Sequence, residues 1–188
     1  LPAAGCLLVC TMNVTSANKN LMQLLEINVS EFNELVQQAN IGADGVTILP
    51  FFNGERVPAL PDSKAAILGL DAGNFTRANL SRAVMESASF TLRYGLDLFE
   101  QAGLAATEIR LIGGGAKSAV WRQMIADIMN VNVVCLMEEE AAALGAAIQA
   151  MWANKQGSLA ELCRAFVQLN EATRTAPIAE NAEQYQSV

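Results

Sequence analysis

Three consecutive glycines, Gly113 to Gly115, separate an apolar run from a segment with helical periodicity. The run EIRLI (108–112) has the composition of a short strand, and apolar residues recur at three- and four-residue spacing through residues 118–130. A strand that enters a helix through glycines is suited to bind an anion, because the backbone can approach a ligand and the helix N-terminus presents N–H groups. We therefore predict a ligand at the glycines, with Ser118 capping the helix.

Two known phosphate-binding motifs can be compared with this stretch. A Walker A loop requires an early glycine and a Gly-Lys pair, whereas here Ala116 precedes Lys117. A dinucleotide fingerprint requires a third glycine where this chain has Ser118, although Glu138 after the next strand could serve as the ribose-binding acid. Two alternatives stay open on these residues alone: a Rossmann-type site, and a tight turn that binds nothing.

The segments around the glycine loop predict the fold class. Helical and strand-like segments alternate in the second half of the chain, which predicts an α/β fold with parallel strands and right-handed crossovers. The predicted helices cover residues 18–40, broken near Asn28 with Ser30 capping the second part, and residues 79–102, 118–130 and 139–153. The predicted strands lie within residues 45–51, 65–70, 108–112 and 131–136.

The two ends of the chain have weaker patterns. Residues 6–12 are predicted as a buried strand or the beginning of a helix. The polar tail, residues 170–188, is predicted as a loop followed by the beginning of a helix. The chain starts at Leu1 within an apolar segment, and we expect it to be part of a longer protein.

Composition and charge exclude several classes of partner and of catalytic unit. The 188 residues carry a formal net charge of −7 without a cluster of Lys and Arg, so neither nucleic acid nor an anionic membrane is an expected partner. The chain has no histidine and therefore no Ser/His/Asp or Cys/His catalytic unit. We predict the four cysteines to be buried free thiols. No apolar run reaches the ~18 residues of a membrane helix, and we expect a cytoplasmic protein.

Four blocks of the sequence, in order from about residue 47 to residue 153, resemble the signatures of one enzyme family. They are LPFFNGERVPALPD with its Gly-Glu-Arg loop, AAILGLDAGNFTRANLSRAVME, LIGGGAKSAVWRQMIADI and AAALGAAIQA. Together they are similar to the FGGY family of carbohydrate kinases. The combination of Gly-Glu-Arg, Gly-Gly-Gly-Ala-Lys-Ser and Trp-Arg-Gln most resembles the xylulose kinase subgroup of that family.

The resemblance implies an actin-like, ribonuclease-H-like fold in two halves, with ATP between the halves and the sugar bound mainly by the first. Residues 1–188 would form the C-terminal domain, with a C-terminal helix and polar tail over 157–188. The N-terminal domain, with the catalytic aspartate, would precede Leu1, so this chain alone would be inactive. Its uncovered interdomain face could then form a homodimer.

The implied reaction transfers the γ-phosphoryl group of ATP, with Mg²⁺, to a hydroxyl group of D-xylulose. Alternative substrates within the family are gluconate, ribulose, fucose or rhamnulose, and glycerol. A further alternative is a non-catalytic actin-like domain that binds nucleotide without sugar chemistry.

The resemblance also carries nucleotide-binding residues onto this chain. The loop would comprise Gly113, Gly114, Gly115, Ala116, Lys117, Ser118 and Ala119. Asn18 and Met22 would line the base pocket, although Asn18 stands where the family usually has a small residue. Lys117 could instead be a solvated loop lysine. We expect a valine at Gly115 to enter the ligand space and to be disfavoured by a positive φ.

A second set of implied residues lies on the Gly-Glu-Arg loop. Gly54, Glu55 and Arg56 would face the other domain on the substrate side. The alternative is that Glu55 and Arg56 form an ion pair within the loop. The resemblance assigns no catalytic residue and no metal ligand to this chain.

Overall fold

The computed structural model describes residues 7–188, and the elements below are those of this part of the chain. The helices are α1 (Val14–Leu25), α2 (Val29–Gln38), α3 (Arg77–Gln101), α4 (Ala119–Met129), α5 (Ala141–Ala153), α6 (Leu159–Phe166) and α7 (Ala179–Tyr185). The strands are β1 (Thr47–Leu49), β2 (Ala66–Leu68), β3 (Ile109–Leu111), β4 (Val133–Leu136) and β5 (Leu169–Thr175). Short 3-10 turns occupy Ala43–Gly45 and Gly114–Lys117.

The strands form two small sheets. The prediction of parallel strands in the second half of the chain is only partly right, because the sheet there also contains an antiparallel strand. β3 and β4 are parallel and are connected through α4, as the alternation predicts. β5 lies on the other side of β4 and runs antiparallel to it, in the order β3-β4-β5. The predicted loop in the tail is thus a strand in its first part, because backbone pairing with β4 holds a polar sequence extended. β1 and β2 form a separate antiparallel pair.

The long helix α3 is the centre of the core. Thr76 caps it by accepting a hydrogen bond from the Asn79 N–H, and Gly103 follows its end with φ +82°, the left-handed conformation in which many helices end. Its middle turns bury Ala83, Val84 and Ala88 almost completely. Helices α1, α2 and α4 all pack against it, so the position of each is set by one rigid element.

The predicted helix over residues 18–40 is two helices, as expected, with a different cap. Asn28, and not Ser30, caps α2, because its Oδ1 accepts from the backbone N–H groups of Ser30 and Glu31 at 2.8 and 3.1 Å. Glu31 completes a capping box by accepting from the Asn28 N–H. The first helix also begins earlier than predicted, at Val14.

The prediction of a buried strand or the beginning of a helix over residues 6–12 is wrong for residues 7–12. Cys6 lies outside the described residues, and residues 7–12 have no regular secondary structure. The prediction of buried thiols holds for Cys135, while Cys10 is exposed and Cys163 is half-buried; all three are free. No helix within residues 7–188 is both long and apolar enough to span a bilayer.

Candidate functional site

The glycine loop leaves β3 and enters α4 as the sequence predicts. Gly113 has φ +83° and ψ −177°, a backbone conformation that favours glycine, and Gly114–Lys117 form a short 3-10 turn. Ser118 caps α4, because its Oγ accepts a hydrogen bond from the Trp121 N–H at 3.1 Å. The same hydroxyl donates to Asn33 Oδ1 at 2.9 Å, which ties the loop to α2.

A cavity of about 480 Å³ lies between this loop and helices α1 and α2. It brings together predicted site residues that are far apart in the sequence: Asn18, Met22, Gly114, Gly115, Lys117 and Ser118. Met22, Val29, Phe32 and Trp121 supply its apolar surface. We call it the loop cavity. Its volume and its mixture of apolar and polar walls are typical of a site for a small ligand.

The remaining loop residues do not line the loop cavity. Gly113 and Ala116 line a separate cavity of about 350 Å³, and Lys117 lines both. Ala119 is exposed at the beginning of α4 and lines neither of the two. The loop therefore has one face toward α1 and α2, and another toward β4.

Asn18 is the one predicted base-pocket residue whose polar group has no partner in the described chain. The side chain is 4% exposed because α1 packs closely on α3, and its Oδ1 accepts no hydrogen bond. A buried amide oxygen without a donor costs about 1–3 kcal/mol. Asn18 also lines the loop cavity, so this unmatched polar group lies close to the space that a ligand would fill.

Gly114 and Gly115 have different surroundings. A Cβ at Gly115 would lie 2.6 Å from the Trp121 ring, and its φ is not in the left-handed region, so the predicted positive φ is wrong for this position. The obstacle to a larger residue at Gly115 is therefore the Trp121 side chain. A Cβ at Gly114 would meet no atom of residues 7–188 within 4 Å. Gly114 therefore adjoins open space.

Lys117 is charged and paired at the surface. Its Nζ lies 2.6 Å from Glu139 Oε2, and both side chains are mostly exposed. This hydrogen bond, and after it the negative charge of Glu139, raises the pKa of Lys117. An exposed pair of this kind contributes little to stability, so the ammonium group can exchange Glu139 for a ligand anion at small cost.

The Gly-Glu-Arg loop is fastened to the beginning of α1. Glu55 is 1% exposed, and its Oε1 accepts from the backbone N–H groups of Met12 and Arg56 at 2.8 and 2.7 Å. Asn13 Nδ2 donates to the Gly54 carbonyl at 2.7 Å. Within the described chain Glu55 thus holds backbone, and no Glu55–Arg56 side-chain ion pair is present. The exposed Arg56 guanidinium donates to Cys10 Sγ instead.

A larger cavity, of about 620 Å³, lies near α3, α4 and α7, away from the glycine loop. Its cation, Arg93, is held by Asp97, Glu100 and the Met129 carbonyl. The charge of this arginine is already matched by two carboxylates. The cavity therefore offers no free positive charge from Arg93 to bind an anionic ligand, despite its size.

Comparison with known proteins identifies the family. The model of the FGGY family of carbohydrate kinases, C-terminal domain, matches residues 11–154. The chain belongs to the FGGY family of carbohydrate kinases. It is 67% identical over 180 residues to the xylulose kinase of Haemophilus influenzae, which covers 96% of this chain and 36% of that protein. The chain therefore spans about a third of the length of this FGGY relative.

Solved FGGY kinases share the fold. A ligand-bound xylulose kinase from Lactobacillus acidophilus matches with a TM-score of 0.86 at 25% identity, over 94% of this chain and 36% of that one. A gluconate kinase from the same organism matches with a TM-score of 0.83 at 26% identity, over 94% and 36%. FGGY C-terminal domains have the actin-like, ribonuclease-H-like fold, so the predicted fold class is confirmed, and the Rossmann alternative is wrong.

Sequence reasoning missed part of the wall of the loop cavity. Phe32, Asn33 and Trp121 line it, although the sequence marks them only as helical positions. Trp121 lies three residues after the Ser118 cap, the spacing at which a side chain in the first turn returns to the loop. That spacing is the sequence signal that could have placed Trp121 in the cavity wall. The positions of Phe32 and Asn33 depend on how α2 packs, which the sequence alone does not give.

Proposed function

We propose that the protein is an ATP-dependent sugar kinase that phosphorylates D-xylulose, and that this chain holds the nucleotide. The observation that carries the proposal is the loop cavity, where Asn18 and Met22 of α1 meet Gly114, Gly115 and Ser118. A strand–glycine–helix junction suits phosphate groups, and the apolar surface beside it suits a flat base. Under the alternative of a turn that binds nothing, this combination of a glycine loop, polar groups and apolar surface would have no ligand.

In this proposal the chain positions ATP and supplies charge stabilisation. The base lies against Met22, Phe32 and Trp121, and the phosphates extend along the glycine loop toward Lys117. Phosphoryl transfer depends mainly on such positioning and on electrostatic stabilisation of the transferred group. The resemblance places the aspartate that takes the sugar proton in the other domain of the family, so no residue of this chain is assigned that role.

The proposed reaction includes Mg²⁺ bound together with ATP. Among residues 7–188 no group of three or more His, Cys, Asp or Glu side chains is arranged to hold a metal ion. Mg²⁺ in such enzymes commonly binds the nucleotide phosphates, one or two carboxylates and water. No step of the reaction is therefore assigned here to a metal ligand. ATP and phosphorylated sugars are cytoplasmic metabolites, and we propose that compartment for the protein.

A chimera tests the proposed activity. The aligned 180 residues of the Haemophilus influenzae xylulose kinase would be replaced by those of this chain, which is 67% identical there. We expect ATP-dependent phosphorylation of D-xylulose by the chimera, and none by the 188-residue chain alone. Turnover of gluconate in preference to D-xylulose would favour the alternative sugar. A folded chimera without activity on any sugar would contradict the proposal.

A further inference from the structure

The carbonyl group of Ala116 lies on the side of the glycine loop that faces away from the loop cavity. Ala116 lines the cavity of about 350 Å³ near β4, together with Arg122, and neither residue lines the loop cavity. The Arg122 guanidinium, one turn into α4, donates from Nη1 to the Ala116 oxygen at 2.7 Å. The Cys135 thiol of β4 contacts the same oxygen from 3.6 Å.

This contact decides how the loop presents its backbone to a ligand. A carbonyl oxygen that pointed into the loop cavity would repel a phosphate, because both carry negative charge. The peptide group is planar and trans, so a carbonyl held toward Arg122 fixes the orientation of the following N–H group as well. A short hydrogen bond from a charged donor is stronger than one between neutral groups.

Arg122 also differs from the other half-buried arginines in its charge balance. Arg82 is paired with Glu86, and Arg93 with Asp97 and Glu100. Within residues 7–188, Arg122 forms no ion pair with a carboxylate, and its Nε is buried without a hydrogen-bond partner. An unmatched guanidinium beneath a loop is favourable when that loop binds an anion.

We propose that Arg122 is a positioning residue for the phosphates of the nucleotide. It keeps the Ala116 carbonyl out of the loop cavity and places an unmatched positive charge behind the glycine loop. The inference rests on the proposed function, because it requires phosphates at this loop. It adds that the phosphate part of the ligand depends on Arg122, whereas the adenosine part, held by α1 and α2, does not.

Calorimetric titration with ATP, ADP and adenosine tests the inference, and it is done on the chimera described above, which supplies the other domain. Arg122→Met keeps the aliphatic stem and removes the charge. Losing a hydrogen bond from a charged donor predicts about tenfold or more weaker ATP and ADP binding, with adenosine affinity unchanged within about twofold. Arg122→Lys keeps the positive charge but lacks the planar guanidinium group with its several N–H donors. We expect its ATP affinity to lie between those of Arg122→Met and the unsubstituted protein.

Arg164→Met serves as the matched control, because it removes the same charge from an exposed position on α6. It should leave all three affinities unchanged. Equal loss of ATP and adenosine affinity in the Arg122 variants, or no loss of either, would overturn the inference. If Arg122→Met does not fold, the same comparison is made with Arg122→Lys. A folded chimera with Arg122 intact that binds none of the three ligands would instead contradict the proposed function.

Discussion

At the scale of single residues, Asn18 combines close burial with an unmatched polar atom. Its Oδ1 has no donor among the described residues, yet the residue lines the loop cavity. A group that weakens the free protein and strengthens a complex is characteristic of binding sites. We therefore expect Asn18 to contribute to ligand binding more than to stability.

Asn18→Leu should separate binding from stability. Leucine has a similar volume and no polar atom to desolvate, so the free energy of unfolding should stay equal or rise. Adenosine and ATP affinity should both fall, since the amide contact is lost. Thermal unfolding and calorimetric titration measure the two quantities. A variant that is destabilised but binds nucleotide normally would show that Asn18 is only a structural residue.

Gly115 gives a second prediction at this scale. Gly115→Ala should lower the free energy of unfolding, because the new Cβ would meet the Trp121 ring, whose Nε1 is held by Ser89 Oγ at 2.9 Å. Overpacking of this kind costs about 1–3 kcal/mol. Urea unfolding of the variant measures it. Unchanged stability would mean that the Trp121 ring moves freely.

At the scale of elements, α7 is joined to α3 through one buried polar cluster. Tyr185 OH donates to Glu86 Oε1 at 3.0 Å and accepts from Arg82 at 2.7 Å. The Gly42 N–H donates to the same Glu86 oxygen. Burial, and after it the Glu86 charge, raises the pKa of Tyr185 above its ordinary value.

Tyr185→Phe should therefore weaken the fold and change its response to alkali. Removing the hydroxyl leaves Glu86 and Arg82 one partner short, at a cost of about 1–3 kcal/mol. A raised folded-state pKa means that the tyrosine contribution is complete below the unfolded value of about 10 and is lost as the pH rises above it. Urea unfolding from pH 8 to 11 should show a shallower alkaline loss in the variant. Equal slopes in both proteins would contradict this assignment.

The sequence predicted elements where periodicity and end signals agreed. The strand–glycine–helix junction, the Ser118 cap and the end of α3 before Gly103 all follow from local patterns. β5 was missed because its sequence, LNEATRT, is polar and becomes a strand only by pairing with β4. The wall formed by Phe32 and Asn33 was missed because it depends on the packing of α2 against the loop.

At the scale of the whole molecule, the described chain exposes apolar surface. α5 is rich in alanine, yet within it only Ile148 is buried, and Trp152 is 54% exposed. β3 and β5 each pair only with β4 among the described strands. Exposed apolar helices and open sheet edges both favour association.

The 188-residue chain should therefore associate reversibly as its concentration rises. Light scattering coupled to gel filtration measures the mass over a range of concentrations. Trp152→Glu should shift the chain toward the monomer, because it places a charge on the exposed face of α5. A monomer at every concentration would contradict this prediction.

The central claim is that the open space beside Gly114 is occupied by nucleotide. Gly114→Ala tests it directly, because the added Cβ meets no atom of the described chain within 4 Å and the backbone there is not left-handed. Gly145→Ala on α5 is the matched control, since its Cβ likewise meets no described atom within 4 Å. The measurement is calorimetric titration of the folded chimera with ATP. We predict about tenfold or more weaker binding in Gly114→Ala, with an unchanged unfolding temperature, and no loss of binding in Gly145→Ala. ATP affinity in Gly114→Ala equal to that of the unsubstituted chimera would contradict the account.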